Sequence, residues 1–160
     1  LELAAEKAGW GKPLPPGRFQ GVAVGGGSSS FSAQIHEISI EKGKVKIHRI
    51  VTAVDVGQII NPRGAVQQVE GGIIYGLSAA LREAITVDKG RVQQSNFHQY
   101  EPLRMNEVPK IEVYLMPNTN APGGLGEHSN PHAIPALTNA IYKATGKRLR
   151  ELPIRLAGLA

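Results

Sequence analysis

Alternation between apolar and polar residues in the first third of the chain is the feature that most constrains its fold. Apolar residues take every second position from Phe31 to Ile35, and the alternation continues in the opposite phase at Ile38 and Ile40. Side chains of a strand point to opposite faces in turn, so the pattern predicts a β-strand with a β-bulge near His36–Glu37. A turn at Lys42-Gly43 then predicts a hairpin over residues 31–54.

Three segments have apolar residues at the spacing of three or four that is typical of helices. The first covers Leu1 to Ala8 and ends at Gly9, and the last ends at Gly146, where a C′ glycine belongs. The stripes of the two longer helices are Val66, Val69, Ile73, Leu77 and Leu81, and Ile134, Leu137, Ile141 and Ala144. With the hairpin, these helices predict an α+β fold of mostly antiparallel strands and two main helices.

Shorter signals complete the organisation of the chain. A strand is predicted from Arg18 to Val24, and the stretch Gly25–Ser30 is expected to be a flexible loop. A second hairpin is predicted around Asp88-Lys89-Gly90, and alternation from Ile111 to Leu115 predicts a half-buried strand. The length predicts one domain, or one fragment of a larger protein, over residues 1–160.

Composition excludes several classes of protein. Nineteen glycines and eleven prolines favour turns over a helical bundle, and the absence of cysteine excludes disulfides, iron–sulfur clusters and thiolate metal sites within this chain. The net charge of +5 is scattered and does not interleave with aromatic residues, which favours a solvated surface and leaves nucleic-acid binding as a minor alternative. No apolar run is long enough for a membrane span, so a soluble protein is expected, in the cytoplasm or the periplasm.

The stretch from Pro122 to Glu127 is typical of a functional loop. Three glycines leave the backbone bare around one carboxylate, and a predicted helix with free N–H groups follows directly. Glu127 is therefore either a general base held near a bound anion or metal complex, or a helix-capping glutamate after a glycine turn. His128 and His132 are four residues apart, but the Asn130-Pro131 pair between them argues against a zinc-binding helix, and no metal ligand is assigned.

Five stretches of the chain form an ordered set of motifs. They are Asp55–Pro62, Gln68–Leu77, Arg91–His98, Gly123–Glu127 and Ala140–Arg148. Taken in this order they resemble the C-terminal part of the molybdenum-binding large subunit of the xanthine dehydrogenase/aldehyde oxidase family, and most closely isoquinoline 1-oxidoreductase beta-subunit-like proteins. The resemblance covers residues 10–154, more loosely upstream of Asp55.

The resemblance implies part of a molybdenum hydroxylase. Such enzymes bind molybdopterin or its cytosine dinucleotide between two halves of a subunit, and this chain resembles part of the second half only. Iron–sulfur clusters would lie on a partner subunit, and the small-molecule substrate would be an aldehyde or an N-heteroaromatic compound, with water as the oxygen source. The fragment alone is expected to be inactive, and its exposed apolar face is compatible with homo-oligomers.

The resemblance also implies roles for single residues. Glu127 corresponds to the base that activates a metal-bound hydroxyl, and Gln68 to a cofactor contact. Gly71 and Gly72 weaken a helix by about 1 kcal/mol each relative to alanine, and close approach of the cofactor would explain them. The residues expected to line the metal site are Gly124, Leu125 and Gly126.

Two departures from the family pattern leave questions open. Val56 stands where many relatives have cysteine, which is interpreted as a packing change, and His128 stands where relatives usually have proline. His128 would either contact the substrate or Glu127, or face solvent. Tyr75 and Trp10 are assigned to the core or an interface. A non-catalytic scaffold with the same fold is the main alternative to an enzyme.

Overall fold

The computed structural model describes residues 1–155, so the last five residues of the predicted 1–160 unit lie outside it. Its elements follow in chain order: α1 (Glu2–Ala8), β1 (Arg18–Gly27), β2 (Ser30–Glu41), β3 (Lys44–Asp55), α2 (Pro62–Leu81), β4 (Val87–Asp88), β5 (Arg91–Val92), β6 (Lys110–Leu115) and α3 (Asn130–Thr145). Two short 3₁₀ turns, Phe97–Gln99 and Met105–Glu107, lie between β5 and β6. The predicted α+β class is confirmed.

The main sheet has the strand order β1-β2-β3-β6. Strands β1, β2 and β3 pair antiparallel, whereas β6 pairs with β3 in parallel. Helix α1 covers one face of the sheet through a small cluster that includes Ala4, Ala33 and Ile35. Helices α2 and α3 cover the other face, where the larger cluster includes Ile73 and Leu137.

The prediction of a flexible loop at Gly25–Ser30 is wrong. Strand β1 continues to Gly27, and only Ser28 and Ser29 form the turn, with φ angles of 50° and 61°. The glycines serve close packing, because a Cβ on Gly25 would overlap the imidazole of His132 and one on Gly26 would overlap the ring of Phe31. This segment is therefore the end of an ordered hairpin that reaches the loop before α3.

The predicted hairpin is confirmed, but its bulge lies on β3 and not at the predicted position near His36–Glu37 on β2. Glu37 pairs with Arg49 and Ile38 pairs with Ile47, so the extra residue is His48 on β3. The change of phase along β2 also marks a change of covering helix, since Ile35 belongs to the cluster under α1 and Ile38 to the cluster under α2 and α3.

Local signals for helix ends and turns also agree with the structure. Gly9 and Gly146 are left-handed residues at the ends of α1 and α3. Asn61 begins α2 by accepting a hydrogen bond from Gly64 N at 3.0 Å, and Asp55 Oδ1 accepts one from Gly57 N at 3.2 Å. Within residues 1–155, no helix has both the length and the apolar character needed to cross a membrane.

Candidate active site

The loop between β6 and α3 is held against the sheet by backbone hydrogen bonds. Gly123 N donates to Val56 O, and Gly124 N donates to Ser28 O in the β1–β2 turn, both at 2.8 Å. The packing is close, because a Cβ on Gly123 would overlap Ser30 Oγ. Because of these contacts, the loop that leads to Glu127 runs along the edge of the β1–β2 hairpin.

The Glu127 carboxylate is exposed and makes no hydrogen bond or ion pair with any residue in 1–155. Only its backbone is engaged, since Asn130 N donates to Glu127 O at 3.2 Å. The N-cap of α3 is Ser129, and within the described residues no side chain caps this helix. The structure therefore does not support the helix-capping interpretation of Glu127.

Two cavities meet at Glu127. One, of about 300 Å³, brings Glu127 together with most of the residues that the resemblance assigned to cofactor binding. Its lining residues are Gln68, Gly71, Gly72, Tyr75, Gly126, Glu127 and Asn130. The other, of about 290 Å³, lies toward the β1–β2 turn and includes Gly124, His128 and His132. Glu127 and Gly126 line both, so one carboxylate faces two adjoining spaces.

Gln68 connects α2 to the loop. Its Nε2 donates to Gly126 O at 2.5 Å, whereas its Oε1 makes no hydrogen bond within the described part of the chain. Gly71 and Gly72 differ: a Cβ on Gly71 would meet no atom within 4 Å, and one on Gly72 would overlap Ser129 Oγ. The atom that comes close to Gly72 therefore belongs to this chain, namely Ser129 Oγ, whereas the backbone at Gly71 is open to the cavity.

The structure places three further residues outside the core or the cavities at Glu127, and an interface position for Tyr75 and Trp10 stays a prediction. Leu125 packs against the main core and lines a separate cavity with Val56 and Ile59, not the spaces at Glu127. Tyr75 is 62% exposed and lines the cavity with Gln68, so a core position is wrong for it. Trp10 is 45% exposed and is not a core residue either.

The two histidines beside Glu127 pack edge to face, with ring centroids 5.4 Å apart. Ser32 Oγ lies 2.8 Å from His132 Nδ1. Burial lowers the pKa of both imidazoles, and the neighbouring His132 lowers that of His128 further, against an opposing effect of the Phe31 carbonyl. No group of three or more metal-ligating side chains occurs within residues 1–155. The lowered pKa values favour the neutral form of both imidazoles in this cavity wall.

The polar face of β2 is buried beneath α3, which the sequence pattern did not predict. The residues of this face are Ser30, Ser32, Gln34 and His36, each at most 2% exposed. Gln34 Nε2 donates to Ser129 O at 2.6 Å, and Ser129 Oγ donates to Val69 O at 3.0 Å. The only signal in the sequence was polar residues at every second position of the strand.

Comparison with known proteins supports the assignment of the fold. The chain is 40% identical over 143 residues to the isoquinoline 1-oxidoreductase subunit beta of Brevundimonas diminuta, covering 88% of this chain and 18% of that protein. It is 35% identical over 160 residues to the membrane-bound aldehyde dehydrogenase (pyrroloquinoline-quinone) of Gluconacetobacter polyoxogenes, covering 95% and 21%. The crystal structure of the aldehyde oxidoreductase from Desulfovibrio desulfuricans ATCC 27774 superposes with a TM-score of 0.69 at 26% identity, covering 81% of this chain and 15% of that one.

The chain spans about a fifth of the length of these two curated relatives. The family model described as molybdopterin cofactor-binding domain matches residues 13–109, which include the β1–β3 sheet, helix α2 and Gln68. The loop with Glu127 lies beyond that match. Because the match covers more than half of the chain, this protein belongs to the molybdopterin cofactor-binding domain family.

Proposed function

We propose that this chain is the C-terminal molybdopterin-binding part of a longer subunit of a molybdenum hydroxylase, with Glu127 as the catalytic base. The observation that carries the proposal is the unpaired carboxylate of Glu127 on a cavity wall shared with Gln68 and open glycine backbone. The names of two relatives, isoquinoline 1-oxidoreductase and aldehyde oxidoreductase, support an N-heteroaromatic compound or an aldehyde as substrate.

The residues present fit a flat cofactor that carries ring N–H donors. The backbone is bare at Gly71 and Gly126, where a Cβ would meet no atom within 4 Å. Gln68 Oε1 is available as an acceptor for a ring N–H. Gln68 and Gly71 would hold one side of molybdopterin or its cytosine dinucleotide, and the N-terminal half of the same subunit would supply the other side. When bound, the molybdenum centre supplies the two-electron redox chemistry.

The proposed reaction adds oxygen from water to carbon: R–H and H₂O give R–OH, two electrons and two protons. Glu127 accepts one proton from the water-derived nucleophile, which requires an ionised carboxylate that is not already paired. The hydrogen bond from Gln68 to Gly126 O holds the residue before Glu127 in place. The proposal assigns the iron–sulfur clusters that accept the electrons to a partner subunit, since this chain has no cysteine that could ligate one.

A second candidate cofactor follows from the name of one relative, the aldehyde dehydrogenase (pyrroloquinoline-quinone). Both cofactors are flat, anionic and redox active, so the open backbone at Gly71 is compatible with either. Elemental and chromatographic analysis of the purified complete subunit distinguishes them. If the purified subunit contains neither cofactor, the protein would be a non-catalytic scaffold.

The test compares Glu127→Gln with Glu6→Gln in the complete subunit, co-expressed with its iron–sulfur partner. Glu6 is an exposed glutamate on α1 that, among residues 1–155, pairs with the adjacent Lys7, and it serves as the control. We expect equal molybdenum content in all three proteins and a roughly 10²–10⁴-fold loss of aldehyde or N-heterocycle oxidation in Glu127→Gln alone. Full activity of Glu127→Gln would refute the role of Glu127 as the catalytic base. Absence of molybdenum from the folded wild type would refute the hydroxylase assignment.

A further inference from the structure

We propose that Gln34 is a positioning residue for Glu127 and that His36 fixes the orientation of the Gln34 amide. This inference rests on the proposed role of Glu127 as a base. Neither residue touches the cavities at Glu127; both lie on the buried face of β2 beneath α3 and are fully inaccessible to solvent. They act through Ser129, the N-cap residue of α3.

Two glutamine amides bracket the catalytic loop. Gln68, on α2, donates to the carbonyl of Gly126, the residue immediately before Glu127. Gln34, on β2, donates to the carbonyl of Ser129, two residues after Glu127, at 2.6 Å. The turn that carries the carboxylate is therefore attached at both ends, once to the second helix and once to the sheet.

Ser129 is hydrogen-bonded to both β2 and α2. Its carbonyl is held by Gln34 from the sheet, and its hydroxyl donates to Val69 O in α2 at 3.0 Å. Gly72 leaves the space that the hydroxyl occupies, since any Cβ there would overlap it. Movement of the Ser129 carbonyl would therefore redirect the turn from Glu127 into α3.

The orientation of the Gln34 amide follows from its partners. Its Nε2 donates to a carbonyl, so its Oε1 faces His36 Nε2, 3.3 Å away, and His36 must carry its proton on that nitrogen. Burial lowers the pKa of His36 to about 3, which keeps the ring neutral at physiological pH. His36 Nδ1 has no partner within the described residues, consistent with an unprotonated nitrogen.

The experiment uses the complete subunit with its partner and four substitutions. Gln34→Met removes the amide at similar volume, and His36→Leu removes the imidazole and with it the donor that orients the amide. His36→Gln keeps a donor at the position of Nε2 and should rescue the His36→Leu defect. Thr52→Val is the matched control, because Thr52 pairs with Gln34 across the strands, is buried, and has a hydroxyl without a partner in the described chain.

We expect Gln34→Met and His36→Leu to speed hydrogen exchange of the amides in residues 124–130 by about tenfold, corresponding to one lost buried hydrogen bond. They should lower kcat by about tenfold without changing KM or molybdenum content, and Gln34→Met should add no further loss to Glu127→Gln. Thr52→Val should match the wild type in both measurements.

Each outcome decides the proposal. Unchanged exchange in both Gln34→Met and His36→Leu would overturn the attachment of the loop to β2. Faster exchange with unchanged kcat would overturn positioning of Glu127. If the wild type holds no molybdenum and has no turnover, the hydroxylase assignment and the positioning of its base fail together. The exchange measurement then shows separately whether Gln34 holds the loop.

Discussion

Gly71 and Gly72 are neighbours in α2 with opposite surroundings. Gly71 faces the open cavity beside Gln68, and Gly72 is covered by the hydroxyl of Ser129. A glycine in a helix is less stable than alanine by about 1 kcal/mol, so each needs its own reason. For Gly72 the reason is contact with the start of α3, whereas for Gly71 the chain itself offers no steric reason.

The residue-scale prediction compares alanine at these two positions in the complete subunit purified without cofactor. Gly71→Ala should raise the free energy of unfolding by about 0.5–1 kcal/mol, because it adds helix propensity without a clash. Gly72→Ala should lower it by about 1–3 kcal/mol, because the added Cβ displaces Ser129. Chemical denaturation measures both, and equal shifts of the same sign would contradict the packing described.

At the scale of elements, one carboxylate joins strands that no hairpin connects. Glu112 on β6 accepts hydrogen bonds from Arg49 Nε and Nη2, each at 2.8 Å, and forms an ion pair with Lys110. Arg49 Nη2 also donates to Lys7 O in α1 at 2.9 Å. Glu112 therefore joins β6 to β3 through Arg49, and Arg49 in turn is bonded to α1.

The element-scale prediction concerns Glu112→Gln. Hydrogen bonds from Arg49, then from Lys110, lower the pKa of Glu112 to about 2 from its ordinary 4.5. Because the pKa of Glu112 is lower in the folded than in the unfolded state, the ionised carboxylate stabilises the fold fully at pH values above the pKa of the unfolded state. This contribution is lost as the pH falls toward 2. We expect Glu112→Gln to lower the free energy of unfolding by about 1–2 kcal/mol at pH 7, with the difference from the wild type shrinking between pH 4.5 and 2.

Glu101→Gln is the matched control for this measurement. Glu101 is half exposed and lies 3.9 Å from Arg104, so its loss should change stability little at any pH. Denaturation of both variants across the pH range makes the comparison. A Glu112→Gln difference that stays constant between pH 6 and pH 2 would contradict the assignment to the carboxylate charge.

At the scale of the whole molecule, the segment between α2 and β6 has little core of its own. Its apolar side chains include Phe97 and Met105, which are 90% and 94% exposed. Contacts with α2 and the residues after it attach the segment, among them the hydrogen bond from Leu103 N to Ser78 Oγ at 3.0 Å. Exposed apolar surface of this kind is typical of a region that another part of a larger protein covers.

The whole-molecule prediction is that the 160-residue chain alone associates with itself, whereas the complete subunit buries this segment. Sedimentation velocity should show concentration-dependent association of the chain alone. Replacing Phe97 and Met105 together by serine should weaken it by roughly tenfold or more, because the buried apolar area is lost. A wild-type chain that stays monomeric at high concentration would contradict the prediction.

Much of the fold and the position of the candidate site could be predicted from adjacent residues. The hairpin over residues 31–54, the two long helices and the glycine at the end of α3 follow from periodicity and turn chemistry. The resemblance located Glu127, and the structure brings Gln68, Gly71 and Gly126 to the same cavity. The role of Glu127 as a base stays a prediction.

Local pattern by itself determined most of the elements of this protein, the glycine-rich end of β1 excepted, because backbone preference and side-chain periodicity act over a few residues. Tertiary structure alone decided which residues and helices cover each face of the sheet. It placed His132 against Gly25, turned Leu125 into the core, and buried Gln34 against Ser129, 95 positions away in the chain. The physical reason is that a polar side chain on a strand is equally compatible with solvent and with a buried hydrogen bond. Only the packing of α3 onto the sheet chooses between them.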